Sequence, residues 1–162
     1  MKKFLAICTV AAFVTGCGEK KEEKKDDGFE MSRTKQEAPA AEKADSGGVP
    51  VDLSNKGVGP VESLDLPDEI DQELAATGEA KFNQICVACH QVEKRMIGPA
   101  MAGVMERRSP EWVMNMMLNP DGMLKEDPIA KALLKEYNNM IMTNQNLSEE
   151  DARALLEYLR TL

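Results

Sequence analysis

Residues 86–90 read C-V-A-C-H, and this pentapeptide constrains the chain more than any other stretch of its sequence. The spacing C-x-x-C-H is the attachment signature of a c-type haem. Two thiols three positions apart can form thioethers with the two vinyl groups of the porphyrin, and the next residue is then held under the iron. We therefore expect Cys86 and Cys89 to carry one covalent haem c, with His90 as the proximal iron ligand.

Two other kinds of site use a C-x-x-C pair, and both fit this chain poorly. A structural zinc site takes about four nitrogen or sulfur ligands, but His90 is the only histidine, and the two remaining cysteines, Cys8 and Cys17, lie far towards the N-terminus. A thioredoxin-like dithiol is expected near a strand of a βαβ unit, and no strand-like alternation surrounds the motif. The sequence therefore favours haem attachment.

The chain begins MKKFLAICTVAAFVTGC, which has the layout of an export signal. Two lysines form a positive region, and residues 4–14 form an apolar stretch too short to span a bilayer. The stretch ends in V-T-G-C, which resembles the lipobox of bacterial lipoproteins, where the signal is cut before the cysteine and that cysteine is acylated. We expect a signal peptide over 1–16, a lipid on Cys17 and a location on the periplasmic face of a membrane. The alternative is an ordinary secretory signal.

Residues 17–70 differ in composition from the rest of the chain. From residue 18 to residue 70 there are fourteen acidic residues against eight lysines and arginines, with few periodic apolar residues. Such a composition cannot bury enough apolar surface to offset the entropy of ordering, which predicts a disordered acidic linker. Within it, residues 49–67 are less charged and contain several prolines and glycines, so they are expected to dock on the folded domain as an extended strap.

Residues 71–162 form one small domain for which the sequence predicts an all-α fold. A first helix is expected from about Glu69 into the haem motif, on the spacing of its apolar residues. Further helices are expected at Ser109-Pro110, at Asp127-Pro128 and after Ser148, where a capping side chain precedes the first helical turn.

This domain resembles the class I monohaem cytochromes c over residues 71–162. Gly78 and Phe82 stand eight and four residues before the first haem cysteine, where the family has a small residue and an aromatic residue on its N-terminal helix. Leu155 and Tyr158 match the aliphatic and aromatic residues of the C-terminal helix that cross that pair. The resemblance implies the class I cytochrome c fold, with about four helices around a covalently bound haem.

The same resemblance implies the remaining ligand residues. Residues 97–103, I-G-P-A-M-A-G, look like the G-P-x-L-x-G segment of the family, whose proline carbonyl accepts a hydrogen bond from the haem histidine; this role falls to Pro99. The family's distal methionine lies in an irregular loop just before the C-terminal helix, which implies Met142 as the distal ligand, with Met140 as its rival. Because His90 is the only histidine, bis-histidine ligation within one molecule is excluded.

The charge of the domain argues against some partners. Residues 71–162 contain ten lysines and arginines against fourteen acidic residues, which disfavours nucleic acid. Four basic residues nonetheless flank the haem ligand and the G-P turn, namely Lys94, Arg95, Arg107 and Arg108. One interpretation is a positive rim that orients a redox partner; the other is a contact with a haem propionate, for which we favour Arg107 or Arg108.

The sequence therefore predicts an electron-transfer protein rather than an enzyme, with no small-molecule substrate. Its expected partners are periplasmic or membrane redox proteins of a respiratory chain, such as a terminal oxidase, or a denitrification enzyme such as nitrous oxide reductase. Two alternatives remain open. One is a haem sensor or peroxidase-like enzyme with an open distal site, and the other is a fixed haem subunit of a larger redox complex.

Overall fold

The computed structural model describes residues 48–162. The predicted signal peptide, Cys17 and the linker as far as residue 47 lie outside the described residues. The described chain forms six α-helices and one π-helical segment, in the order α1 (Gln72–Lys81), the π-helix (Phe82–Cys86), α2 (Val104–Arg107), α3 (Pro110–Leu118), α4 (Pro120–Glu126), α5 (Pro128–Glu136) and α6 (Glu149–Arg160).

Local capping determines where the predicted helices begin. The Ser109 hydroxyl accepts the first-turn amide of α3 at 3.1 Å, the Asp127 carboxylate accepts that of α5 at 2.7 Å, and the Ser148 hydroxyl accepts that of α6 at 3.1 Å. All four predicted helices are present, and the all-α fold is confirmed. Within residues 48–162 no strand forms; the only β-type pairing there is an isolated parallel bridge between Asp52 and Arg108.

Two short helices were not predicted, and α4 shows why. The sequence Asn119-Pro120 predicts the end of a helix, and α3 does end there. The Asn119 side chain also accepts the Gly122 amide at 3.3 Å, and Pro120 occupies the first helical position, so the same dipeptide starts α4. None of the helices in residues 48–162 combines the length and the apolar character needed to cross a bilayer.

The packing of α1 against α6 depends on Gly78. A Cβ atom at this position would lie 2.0 Å from the carbonyl oxygen of Ala154 in α6, so only glycine permits the observed approach of the two backbones. One turn further on, the rings of Phe82 and Tyr158 pack with their centroids 5.3 Å apart, and Leu155 is buried beneath them. The sequence-predicted pairing of these residues is therefore present.

Residues 49–67, the strap, pack along the domain. Val49 and Val61 are buried, and Asp52 donates its backbone amide to the Arg107 carbonyl at 3.2 Å. The predicted docking of the strap is therefore observed. The prediction of disorder over 17–70 needs correction for residues 48–70, because the backbone polar groups of the strap find partners on the helices.

A buried amide fastens the middle of the strap. The Asn115 side chain, 1% exposed, donates to the carbonyls of Lys56 and Val61 at 2.9 Å each and accepts the Val61 amide at 2.9 Å. Gly59 lies directly against it: a Cβ there would be 2.3 Å from the Asn115 amide oxygen. A side-chain amide has two N–H donors and one oxygen acceptor, so it can bind both the carbonyl and the N–H groups of a backbone that lies outside regular secondary structure.

The end of the strap is held by α6. Arg160 donates to the carbonyls of Pro67 and Asp68 at 2.6 and 3.1 Å. The Glu157 carboxylate, 1% exposed, accepts from Arg160 at 2.8 Å on both oxygens and also pairs with Arg153. A buried carboxylate needs such partners, since an unpaired buried charge is very costly.

We predict that Gly78→Ala destabilises the protein. Helix propensity alone would favour alanine by about 1 kcal/mol, whereas the overlap with the α6 backbone should lower the free energy of unfolding by about 2 kcal/mol. Denaturant unfolding of the haem-loaded protein measures the difference. Thr77→Ala, at the exposed neighbouring position, is the control and should change stability by less than about 0.5 kcal/mol; a stabilised Gly78→Ala protein would contradict the close crossing.

We predict that Asn115→Ala releases the strap. The substitution leaves backbone groups of Lys56 and Val61 without a partner, at a cost of about 2–3 kcal/mol. Limited proteolysis should then cut within residues 49–67 much faster than in the parent protein, with the fragments identified by mass spectrometry. Asn83→Ala, on the exposed side of the π-helix, should leave the strap protected. Equal cleavage of both variants would show that Asn115 does not hold the strap.

Candidate haem site

A cavity of about 210 Å³ lies at the centre of the domain. Its walls are mostly apolar and come from the π-helix, from α3, α5 and α6, and from the loops around residues 97–101 and 140–145. The volume far exceeds what one water molecule needs, so this is not a packing defect. Cys89, Ile97, Met140 and Ile141 line it and are exposed, so the cavity opens to solvent at that edge.

The π-helix brings the haem motif to the cavity wall. The Val87 amide donates to the Phe82 carbonyl at 3.3 Å, and the chain then turns so that the His90 amide donates to the Cys86 carbonyl at 2.9 Å. π-Helical turns are rare and occur frequently at functional sites. As a result Cys86, Cys89 and His90 all line the same cavity.

Cys86 and Cys89 are not joined in a disulfide. Burial, followed by the proximity of Cys89, raises the pKa of the Cys86 thiol to about 11. A reactive dithiol of a redox enzyme has the opposite property, a thiol pKa lowered to about 7 or below. The environment of Cys86 therefore does not resemble that of a thioredoxin-type nucleophile.

The His90 imidazole is fixed in one orientation. Its Nδ1 lies 3.0 Å from the Pro99 carbonyl oxygen, the residue that the sequence analysis assigned to this contact. A carbonyl can only accept, so Nδ1 carries the proton and Nε2 keeps its lone pair. Burial lowers the pKa of His90, against the opposing effect of the Pro99 hydrogen bond, so the neutral ring is favoured at neutral pH. A neutral imidazole with an oriented N–H is the usual state of a metal-ligating histidine.

Backbone pairing places Pro99 beside His90. The Gly98 amide donates to the Cys89 carbonyl at 2.8 Å, and the Met101 amide donates to the Gln91 carbonyl at 3.0 Å. Gly98 also faces the ring directly: a Cβ there would lie 2.5 Å from Cε1 of His90. The G-P pair is recognisable in the sequence, but this role of the glycine is not, because it depends on the approach of the two loops.

Both candidate distal ligands line the cavity, but their surroundings differ. Met142 is partly buried and packs against the hydrophobic core, whereas Met140 is 55% exposed. Burial thus favours Met142 over its rival. Met116 and Met117 of α3 also line the cavity, and Met117 belongs to the buried core, as expected of packing residues.

Three of the four basic residues near the motif are used inside the domain. Arg107 lines the cavity and donates to the Ala102 and Ala100 carbonyls at 2.8 and 3.0 Å. Arg108 is 4% exposed, donates to the Pro50 carbonyl at 2.8 Å and lies over the Trp112 ring. Arg95 binds Glu136. These arginines thus bind groups of the domain itself, while the positive rim and the propionate contact of Arg107 stay predictions.

Trp112 connects the cavity wall to a buried carboxylate. It lines the cavity, is 4% exposed, and donates its indole N–H to the Asp127 carboxylate at 3.1 Å. The same carboxylate caps α5 and accepts the Asn55 side chain of the strap at 2.6 Å. The Asp127 carboxylate thus links the cavity wall, the start of α5 and the strap. Asn55 and Asp127 are 72 residues apart in the sequence, so no local pattern reveals their contact.

The residues around the cavity fit a covalently attached haem. They provide an apolar enclosure, two thiols, one imidazole with a free Nε2 and several methionine thioethers, among them the partly buried Met142, which are the donor types of a His/Met haem c. Within residues 48–162 no group of three or more histidine, cysteine or acidic side chains is arranged to hold a metal ion. When bound, a haem would be held by Cys86, Cys89 and His90 on one wall.

Comparisons with known proteins agree with this site. The sequence profile described as cytochrome c matches residues 75–162. One cytochrome c2 of Rhodopseudomonas palustris is 30% identical over 112 residues, covering 54% of this chain and 97% of the relative. Another cytochrome c2 of the same organism is 54% identical over 35 residues, but this match spans only 30% of the length of that relative.

Solved structures with the same fold include the cytochrome c from Rhodothermus marinus, with a TM-score of 0.62 and 50% identity over 64% of this chain and 88% of that one. An engineered form of that protein, bound to a carbene intermediate, matches with a TM-score of 0.59. Since the family profile covers more than half of the sequence and one relative is matched over nearly its whole length, the chain belongs to the cytochrome c family, whose members carry a covalently bound haem c.

Proposed function

We propose that the protein is a membrane-tethered electron carrier on the periplasmic side, with one haem c ligated by His90 and Met142. Such a haem supplies an iron that changes between the ferric and ferrous states, and thioether ligation raises its reduction potential. Membership of the cytochrome c family supports the electron-carrier class. The observation that carries the proposal is the neutral, oriented His90 imidazole in an apolar cavity that Met142 also lines.

The chain's residues have distinct tasks in this proposal. Cys86 and Cys89 fix the porphyrin edge, and the Pro99 carbonyl keeps the His90 ring oriented and increases its basicity. The apolar side chains of the cavity exclude water and set the local dielectric, which also tunes the potential. The exposed Ile97, Met140 and Ile141 at the cavity mouth provide an apolar surface that a redox partner can approach.

The proposed tether is a lipid on Cys17 followed by the acidic segment to residue 47. It rests on the sequence alone, because the V-T-G-C ending resembles a lipobox. A tether of about 30 residues with random-coil dimensions would reach roughly 30 Å on average. This keeps the haem domain near the membrane while leaving it free to turn towards different partners, which we propose to be respiratory redox proteins such as a terminal oxidase or a denitrification reductase.

We predict that Met142→Ala opens the iron. The oxidised variant should lose the sulfur-to-iron charge-transfer band, and the reduced variant should bind carbon monoxide, whereas the parent protein should show the band and no binding. Absorption spectra of the purified haem-loaded proteins decide this. Met140→Ala is the matched control and should keep the band. If Met140→Ala loses the band and Met142→Ala keeps it, Met140 is the ligand.

An outcome in which the parent protein already binds carbon monoxide would contradict the His/Met carrier. The iron would then have an open position, as a sensor or a peroxidase-like enzyme requires. A spectrum that is unchanged in both methionine variants, without carbon monoxide binding, would point to a different distal ligand.

We predict that Cys17→Ser moves the protein from the membrane fraction to the soluble periplasmic fraction. Loss of the acyl chains removes about 0.8 kcal/mol of membrane affinity per buried methylene. Immunoblots of fractionated cells measure the distribution, and haem staining verifies that the domain is exported and loaded. Cys8→Ser, inside the predicted signal, is the control and should stay in the membrane. Membrane retention of a Cys17→Ser protein from which the signal peptide has been removed, as checked by mass spectrometry, would disprove the lipid anchor.

A further inference from the structure

The side chain of Arg95 connects the two loops that border the cavity. It follows the haem histidine by five residues, in the loop whose Gly98 amide donates to the Cys89 carbonyl. Its guanidinium reaches the C-terminal end of α5, where Nη1 donates to Glu136 Oε1 and Nη2 donates to the Glu136 backbone carbonyl, each at 2.5 Å. The guanidinium carbon lies 4.0 Å from the centroid of the Tyr137 ring.

The two hydrogen bonds of Arg95 to Glu136 and its contact with the Tyr137 ring together form more than an ordinary surface ion pair. An isolated, exposed ion pair contributes little to stability, and the side chains of Arg95 and Glu136 are 45% and 31% exposed. However, a cation at the last carbonyl of a helix is favoured by the helix dipole, and the stacked ring adds a cation–π attraction. Tyr137 is itself buried, at 6% exposure, and lines the cavity. The arginine is therefore fixed on a rigid part of the cavity wall.

The segment that follows Tyr137 carries Met142. Asn138 and Asn139 adopt positive φ angles of 56° and 58°, and the amides of residues 138–140 donate to carbonyls of Leu134, Lys135 and Tyr137. The turn after α5 is therefore built on the last turn of that helix. The contacts that hold the end of α5 therefore also fix the position at which the loop containing Met142 begins.

Beyond this turn the loop has mostly local support. In residues 143–146 the Gln145 side chain donates to Thr143, and the Asn146 backbone amide donates to the Asn144 side-chain oxygen at 2.7 Å. Ser148 then starts α6, whose leucines are buried. The loop thus lies between two fixed elements, namely α6, which is buried from Ala152 onward, and the end of α5 that Arg95 contacts.

We propose that Arg95, with Glu136 and Tyr137, forms a clasp that keeps the Met142 loop closed over the haem, and that it thereby sets how easily the distal ligand is replaced. The inference rests on the proposed His90/Met142 ligation. Arg95 is a positioning residue. It lies in the chain segment that follows the proximal ligand, His90, but through α5 it acts on the loop of the distal ligand, Met142. Local opening of such a loop exposes the iron without global unfolding.

The test uses imidazole as an external ligand of the oxidised, haem-loaded protein. Imidazole binds only when Met142 leaves, so the binding rate follows the population of the open loop when opening is a rapid pre-equilibrium. Arg95→Gln should raise this rate about five- to tenfold, since it removes the ion pair and the ring contact together. Arg95→Lys keeps the charge but not the forked geometry, so it should give an intermediate rate.

The control is Lys81→Gln, which breaks a similar half-exposed ion pair between α1 and Asp151 of α6, at 2.9 Å. This control tests whether the loss of any surface ion pair speeds imidazole binding. Lys81→Gln should leave the imidazole binding rate unchanged. A second readout is denaturant titration. In Arg95→Gln the charge-transfer band should disappear at a lower denaturant concentration than the helical signal, whereas in Lys81→Gln both should shift together.

The outcomes separate the clasp from the proposed function. A faster rate in Arg95→Gln, with Lys81→Gln at the parental value, supports the clasp. Equal rates in both variants and the parent, with the charge-transfer band present, overturn the clasp but leave His/Met ligation in place. A parent protein that lacks the band and binds imidazole at once overturns the ligation itself, and the clasp with it.

Discussion

The hydrogen bond between Nδ1 of His90 and the Pro99 carbonyl is the contact on which the rest of the site depends. It fixes the tautomer, and it requires the loop around residues 97–101 to lie against the haem motif with almost no space between them. Gly98 is the consequence, since any side chain there would overlap the imidazole. The sequence offers no substitute for this ring, because His90 is the only histidine in the chain.

A second constraint is the apolar cavity that the helices line together with the haem motif. Its wall is continuous with the hydrophobic core, since Trp112, Met117 and Leu155 belong to both. A haem held there would bury this wall and add the apolar contacts that a domain of this size needs. At the periphery, the buried side chains of Asn115 and Asp127 bind polar groups of the strap that would otherwise lack partners.

The sequence was most informative where function and structure use short, local signals. The haem motif, the caps at Ser109, Asp127 and Ser148, and the small residue at Gly78 could all be identified within a few residues. The side chains that join distant segments could not be identified in this way, apart from the α1–α6 pairing that the family resemblance implied. The low charge of residues 49–67 predicts a docked strap, but it does not reveal the side chains that bind its polar groups, which lie more than 50 residues away.

The arginines show how the same limitation affects a functional interpretation. Basic residues near a redox motif suggest a docking rim, but a long side chain can equally turn inwards and bind carbonyls. Arg107 and Arg108 do so, and Arg95 spans the cavity edge to α5. Beside these arginines, the mouth of the cavity presents the exposed apolar side chains of Ile97, Met140 and Ile141. A partner that meets this surface gains contact by burying apolar area, an attraction that salt does not screen as it screens charge.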